Sequence, residues 1–303
     1  MHLPTLRQLH YLTILVETKH FGRAAERCFV TQSTLSTGIQ ELENLLGAPL
    51  LERTNRKVLV TSLGYKIAQR AQHILALTTD LVDCAKFEQE VLSGRLRIGL
   101  IPTISPFLLP KALPTLRQQL PRLELRLIEQ HSEQLLNSLN AGEIDLAVLA
   151  FPYDVGQLPH EIFASENFWV VLPPQHLLAK QSEIQASQLS IDELMLLSDG
   201  HCLREHALSA CHFPTTMHRK AMQGTSLYTL IEMVAGGLGV TLIPEMAVHS
   251  DMVKHTDVVI RPLVPSNDKT LRHIGLVWRS SYQTGETVET IKQHFAAALD
   301  HQH

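Results

Sequence analysis

The chain has 303 residues, 45% hydrophobic and 18% charged, with a net charge of −4 when histidine is neutral. That length suffices for two or three domains and a sizeable core. No run of 18 apolar residues occurs, which excludes a hydrophobic membrane-spanning helix, and Met1-His2-Leu3-Pro4 opens no signal-peptide pattern, so a cytoplasmic protein is expected. The negative balance argues against a generally sticky nucleic-acid binder, but its distribution is uneven. Residues 1–97 carry 12 Lys+Arg against 9 Asp+Glu, a net of +3, and the remainder 14 against 21, a net of −7. A mildly basic head on an acidic body suits a specific DNA contact made by an oligomer.

Leu6 to Glu17 reads as an amphipathic helix. Phe21 to Cys28 is a second, short one, broken at Phe29-Val30. Thr31 then offers an N-cap hydroxyl to a longer helix that runs to Gly47, with Leu35, Ile39, Leu42 and Leu46 on one face. Gln32, Ser33, Thr34, Ser36 and Thr37 keep the start of that helix polar. This is a helix-turn-helix pattern, whose second helix presents short polar side chains to base edges; Gln32 can pair with adenine in a bidentate manner. Leu50 to Thr61 reads as a β-hairpin wing that sets Arg53, Arg56 and Lys57 beside phosphates. Residues 1–61 thus form a candidate winged DNA-binding domain. The competing reading is a pair of ordinary helices in a helical core.

Residues 62–92 show long helical periodicity without proline. Ile67, Ile74 and Leu81 fall seven apart, as do Ala71, Thr78, Ala85 and Leu92. Such heptads predict a linker helix that dimerises, with Ile67, Ile74 and Leu81 at the seam. Glu88 and Thr78 interrupt the two series, and a single buried helix is the alternative. Ser93-Gly94 marks the boundary of a body spanning 93–303.

The body opens with a strand over Arg95–Ile101, followed by a helix from about Pro106 to Leu120. A strand over Leu123–Ile128, a helix over Ser132–Asn140 and a strand over Ile144–Ala150 come next. This β-α-β-α-β order predicts a mostly parallel sheet covered by helices, and a similar order resumes near Phe168. Leu271–Trp278 is a late strand and Thr287–Leu299 a closing helix. Two α/β lobes follow: lobe I at about 95–165 and 270–303, lobe II at about 166–269. Ligands bind such sheets at strand C-termini, here between the lobes. The run Gly236-Gly237-Leu238-Gly239-Val240 lacks a phosphate-loop lysine and supports no nucleotide site. No cofactor is expected.

Of four cysteines, Cys28 and Cys84 lie within predicted helices and read as packing residues. Cys202 follows Gly200 at the start of a helix-forming segment, flanked by His201 and Arg204. Helix-end N–H groups and nearby cations stabilise a thiolate, the reactive form. Nine helical residues to Cys211 span roughly 13.5 Å, whereas a disulfide needs Cα atoms within about 7 Å. A bond between the two would have to remodel the segment. The spacing alone leaves open a redox switch or two unrelated core cysteines. The 17 histidines show no ligand spacing beside a third donor, so no metal site is expected.

The frame Leu6-Arg7-Gln8-Leu9, Phe21, Ala24-Ala25, Gln32, Leu35-Ser36, Ile39, Leu42-Glu43, Leu46-Gly47, Leu50, Arg53, Arg56, Thr61 and Gly64 closely resembles the winged helix-turn-helix of LysR-type transcriptional regulators. The resemblance implies an effector domain like the periplasmic binding proteins. Ser33 stands where that family usually has proline, and it keeps an N–H. Gly99-Leu100-Ile101-Pro102-Thr103, Asp199 to Arg204 with Cys211, Thr225-Ser226-Leu227 and Ile274-Gly275-Leu276-Val277 resemble the peroxide-sensing members of the family. This likeness implies that Cys202 is the peroxidatic and Cys211 the resolving cysteine of a reversible disulfide. It places Thr103, Ser132, His201 and Arg204 around hydrogen peroxide. Ser132 replaces a threonine and Glu205 an aspartate usual there. The implied partners are double-stranded DNA, hydrogen peroxide, further copies in a homodimer or homotetramer, RNA polymerase and a thiol reductant. A regulator controlled by a metabolite in the inter-lobe cleft is the alternative. A DNA-binding head and the lack of a thioredoxin-like motif argue against an enzyme.

Overall fold

The computed structural model describes residues 3–53, 58–87, 94–214, 222–264, 271–279, 282 and 285–300, with backbone alone at 53, 80 and 83–87. The chain divides into two compact units, the first of residues 1–89 with 140–143 and the second of 90–139 with 144–303.

In the first unit, helix α1 (Leu6–Thr18) starts at a capping box. Thr5 Oγ1 accepts from Gln8 N (3.2 Å) and Gln8 Oε1 accepts from Thr5 N (2.9 Å). Helix α2 (Phe21–Arg27) turns at Phe29, which holds φ 54, into α3 (Gln32–Leu46). Thr31 caps α3, and Gly47 ends it at φ 67, a left-handed stop that glycine adopts without strain. Leu12, Leu15, Ala24, Ala25, Leu35, Ile39, Leu42 and Leu50 are fully or almost fully buried together. Each buried leucine contributes roughly 1.5–3 kcal/mol, so this small unit depends on all three helical faces. Leu46, assigned to that face by its spacing, is exposed in the last turn of α3. Glu43 Oε1 accepts from Leu50 N and Leu51 N (2.8 and 3.0 Å), tying α3 to strand β1 (Leu51–Arg53). That strand pairs antiparallel with β2 (Val58–Val60), so the hairpin forms; Arg56 and Lys57 and the side chain of Arg53 lie outside the described residues.

Helix α4 (Ser62–Phe87) buries Ala68 and Ala71 in the same core. Ile67 is half-buried there too, whereas Ile74, Leu77 and Leu81 are exposed. The heptad positions therefore do not share one environment. The first serves the head because α1 covers that end of α4.

In the second unit, lobe I contains β3 (Gly94–Leu100), α5 (Ser105–Gln119), β4 (Leu123–Glu129), α6 (Ser132–Ala141), β5 (Leu146–Phe151) and β6 (His160–Glu166). The chain crosses to lobe II, formed by β7 (Phe168–Leu172), β8 (Ile184–Gln185), β9 (Leu196–Leu197), α7 (Cys202–Ala210), β10 (Gln223–Gly224), α8 (Leu227–Ala235), β11 (Thr241–Pro244), α9 (Asp251–Lys254) and β12 (Val259–Val264). It returns through β13 (Arg272–Trp278) and ends with α10 (Gly285–Asp300). The lobe I sheet runs β4-β3-β5-β13-β6. As predicted, β3 is parallel to β4 and β5; β13 is antiparallel to β5 and β6, because it enters from the other lobe rather than over a crossover helix. The expectation of a repeated parallel order fails in lobe II. Its sheet runs β11-β7-β12-β8, with β7 antiparallel to both neighbours. Among the described residues, parallel pairing there is confined to β12–β8, β9–β10 and a bridge from Leu194 to Val240.

Candidate functional site

Two surfaces carry the candidate residues. On the first, Gln32, Ser33 and Thr34 are exposed at the start of α3, and Ser36 is half-buried. Thr31 Oγ1 accepts from Thr34 N (3.2 Å) and shares hydrogen bonds with the hydroxyls of Ser33 (2.9 Å) and Thr34 (2.8 Å). The helix thus begins with a cluster of hydroxyls beside an outward glutamine, a donor and acceptor surface suited to base edges.

The second surface surrounds Cys202, the first residue of α7. Gly200 turns the preceding loop at φ 97, a left-handed conformation that suits glycine. Arg204 is buried. Its Nη1 donates to the Leu197 carbonyl (2.9 Å) and lies 3.4 Å from Asp199 Oδ1, bracing the loop against the helix. A cation acting on Cys202 is Arg272 at the head of β13. Its guanidinium is fully buried, donates through Nη2 to Thr103 Oγ1 (2.7 Å) and through Nη1 to Glu166 Oε1 (2.7 Å). Glu166 Oε2 accepts from Met246 N (2.9 Å). Strands far apart in sequence therefore meet beneath one sulfur.

Burial pushes the Cys202 thiol above its usual range. Arg272 opposes that shift, Ser132 and the helix-end N–H oppose it further, and Glu205 adds to it. The Ser132 hydroxyl is buried and close enough to favour the thiolate, yet it completes no hydrogen bond. Arg272 is thus a cation near the buried thiol that adjacency in sequence, which points to His201 and Arg204, does not reveal. His201 is held below the usual histidine range, mainly by burial and then by His131, whose ring stands edge-on at 4.3 Å. His206, one turn along α7, is pushed down to about 4 by burial; its Nε2 donates to the Pro152 carbonyl (2.9 Å). Cys211 caps the far end of α7, and burial alone pushes its thiol up to about 12.

The structure thus brings Cys202, Ser132, His201 and, through Arg272, Thr103 into one neighbourhood. It keeps Cys211 at the opposite end of a nine-residue helix. Arg272, Glu166, His131, His206 and Tyr153 escaped the sequence reading. A charged residue at the head of an apolar strand was the available signal for Arg272. A pocket of about 680 Å³ opens beside α7, lined by Phe151, Pro152, Tyr153, Asp154 and Glu205. Among the described residues no three metal-ligating side chains cluster, and no helix is long and apolar enough to cross a membrane. Cys28 is half-buried; the Cys84 side chain lies outside the described residues.

Residues 6–65 match the bacterial regulatory helix-turn-helix proteins of the LysR family, and residues 89–300 match the LysR substrate binding domain. The chain is 43% identical over 270 residues to the HTH-type transcriptional regulator EstR of Acinetobacter baylyi, covering 89% of each. It is 38% identical over 274 residues to the hydrogen peroxide-inducible genes activator of Haemophilus influenzae, covering 90% of each. Among solved structures, a full-length OxyR variant from Pseudomonas aeruginosa superposes with a TM-score of 0.76 at 32% identity, over 97% of this chain and 95% of that one.

Proposed function

The chain belongs to the LysR family of bacterial transcription regulators, and from that premise we propose that it senses hydrogen peroxide through Cys202 and Cys211. The observation that carries this reading is a buried thiol at the start of a helix, near Ser132 and an Arg272 that Thr103 holds, with a second thiol at the other end of that helix. Relatives named as peroxide-inducible activators and OxyR support it.

In the proposed reaction the Cys202 thiolate attacks one peroxide oxygen. The O–O bond breaks, an S–O bond forms to give the sulfenic acid, and the departing hydroxide takes up the proton that the thiol released on ionising and leaves as water. Arg272 and the Ser132 hydroxyl favour the thiolate, and Thr103 and His201 border the space in which peroxide would sit. Cys211 then attacks the sulfenic sulfur, releasing a second water and closing the disulfide. Folded, Cys211 is nearly inert because its thiol is pushed up to about 12. Unwinding α7 would both shorten the gap and restore the ordinary acidity of that thiol. A thiol reductant supplies two electrons to reverse the bond.

The output is a cytoplasmic DNA switch. Gln32, Ser33, Thr34 and Ser36 read bases while Arg53, Arg56 and Lys57 hold phosphates. Ile74, Leu77 and Leu81 form an exposed apolar stripe on α4 that fits a partner copy, as a homodimer or half of a homotetramer. RNA polymerase is the expected recipient of the signal. Cys202→Ser should remove the response to peroxide, whereas Cys211→Ser should still react at Cys202 but stop at sulfenic acid or over-oxidise. A Cys202→Ser protein that still responds would end the proposal.

The pocket beside α7 favours one second reading, a metabolite-controlled regulator with an incidental thiol. The pocket lies within the usual range of small-molecule sites. A reduced protein whose mass is unchanged after mild peroxide treatment would favour it.

A further inference from the structure

Arg272 and Glu166 occupy the two places where the chain passes between the lobes. Glu166 ends β6, just before the crossing into lobe II, and Arg272 opens β13, just after the return. Both side chains are buried, and 2.7 Å separates Arg272 Nη1 from Glu166 Oε1. Glu166 Oε2 is held by Met246 N at 2.9 Å. The adjoining Asn167 and Glu245 bond reciprocally: Asn167 N donates to Glu245 Oε2 (3.1 Å) and Glu245 N donates to Asn167 O (3.0 Å). The carboxylate is therefore fixed on both oxygens, in a hinge that is itself cross-tied. Burial pushes the Glu166 carboxyl up and Glu245 adds to that shift, while Arg272 and the Met246 N–H oppose it; because Arg272 cannot deprotonate and lies 2.7 Å away, the pair is read as carboxylate and guanidinium.

We propose that Glu166 is the positioning residue of the thiol site: by pairing with Arg272 it aims the guanidinium at Thr103 and sets how much positive charge reaches Cys202. The inference deepens the peroxide reading and rests on it for its biological meaning. Its physical basis is separate. A buried ion pair presents a dipole to a third group, while a lone guanidinium presents a full charge. The other groups that face the sulfur are Glu205 on α7, Ser132 on α6 and Tyr153 after β5, with His201 and His131 alongside. Among the described residues none of them replaces Glu166 as a hydrogen-bond partner of Arg272, whose other bonds go to Thr103 Oγ1 (2.7 Å) and Thr103 O (3.5 Å).

The test is the pH dependence of Cys202 alkylation by iodoacetamide in the full-length reduced protein, in a Cys211→Ser background so that one buried thiol is followed. Glu166→Gln keeps an oxygen for Arg272 but removes the charge. The alkylation midpoint should fall by about one pH unit, roughly tenfold more thiolate below the midpoint. Glu166→Asp, which keeps the charge, should stay near the parent. If Glu166→Gln does not fold, the double variant Glu166→Gln/Arg272→Gln removes both charges, and its midpoint should lie above the parent. A merely structural Glu166 would lower thermal stability and leave the midpoint in place. An unmoved midpoint in Glu166→Gln, or in the double variant, overturns the proposal. Because the probe is an alkylating agent, this outcome is independent of whether peroxide is the natural signal.

Discussion

The substitution Leu208→Ala tests whether closing a Cys202–Cys211 disulfide requires α7 to leave its packed position. Leu203 and Leu208 on α7 are 2% and 1% exposed, both part of the body's core. Roughly 13.5 Å of helix separates the cysteines, and about 7 Å is the most that a disulfide allows. Most of the helix must therefore unwind, and its leucines must leave their contacts. A Leu→Ala change at such a site removes about 2–5 kcal/mol of packing. If that packing exists only in the reduced form, its loss weakens the reduced state alone. The disulfide becomes easier to form, and its potential should move to more negative values by about 40–100 mV, taking 30 mV for 1.4 kcal/mol. Equilibration in glutathione buffers of graded potential, followed by alkylation and mass analysis, reads this shift. The reduced variant should also melt at lower temperature. A destabilised reduced protein with an unchanged potential would show that Leu208 is packed equally in both redox forms, and the unwinding argument would fail.

Arg56→Ala should weaken binding to all duplexes alike and reduce the salt slope by about one, whereas substitution of Gln32 should alter sequence preference; fluorescence anisotropy across a salt series separates the two outcomes. Leu81→Glu, at a side chain 71% exposed on α4, should raise the dimer dissociation constant in analytical ultracentrifugation. An unchanged constant would remove this stripe from the interface. His206 should destabilise the fold in acid. Its folded pKa of about 4 lies below the unfolded value near 6.5, so the unfolded state binds the extra proton between these pH values. The linked stability is present above about pH 6.5 and is lost as pH falls toward 4, by up to about 3 kcal/mol. His206→Gln should flatten that part of a urea-denaturation series, and a profile as steep as the parent's would assign the acid loss elsewhere.

Local chemistry made the first unit readable. Thr31 and Gly47 punctuate α3 because caps act within a few residues, and the apolar spacing of Leu35, Ile39 and Leu42 points directly to their shared core. Leu46 shows the limit, for periodicity does not say where the neighbouring helix ends. In the body, alternation located β4 and the start of β3, and an apolar run located β5, but neither pattern carried information on strand direction. The antiparallel entry of β13 and the pairing of β7 with β11 and β12 therefore had no signature. The start of α7 at Cys202 followed from Gly200 and the helix formers after it. Its electrostatics did not. His201 and Arg204 were the visible cations, yet the charge that acts on the sulfur comes from Arg272, held by a carboxylate 106 residues away in the chain. Pairings at that separation are products of the assembled sheet.

Peptide mapping of the full-length protein after stoichiometric peroxide shows whether Cys202 and Cys211 form a peroxide-driven disulfide. One dominant cross-linked peptide pair joining Cys202 to Cys211 is expected. Faster hydrogen exchange across residues 203–210 is also expected in the oxidised form. A disulfide from Cys202 to Cys28 or Cys84, or a Cys202 that remains reduced, would contradict the peroxide switch and return the chain to the metabolite-controlled reading.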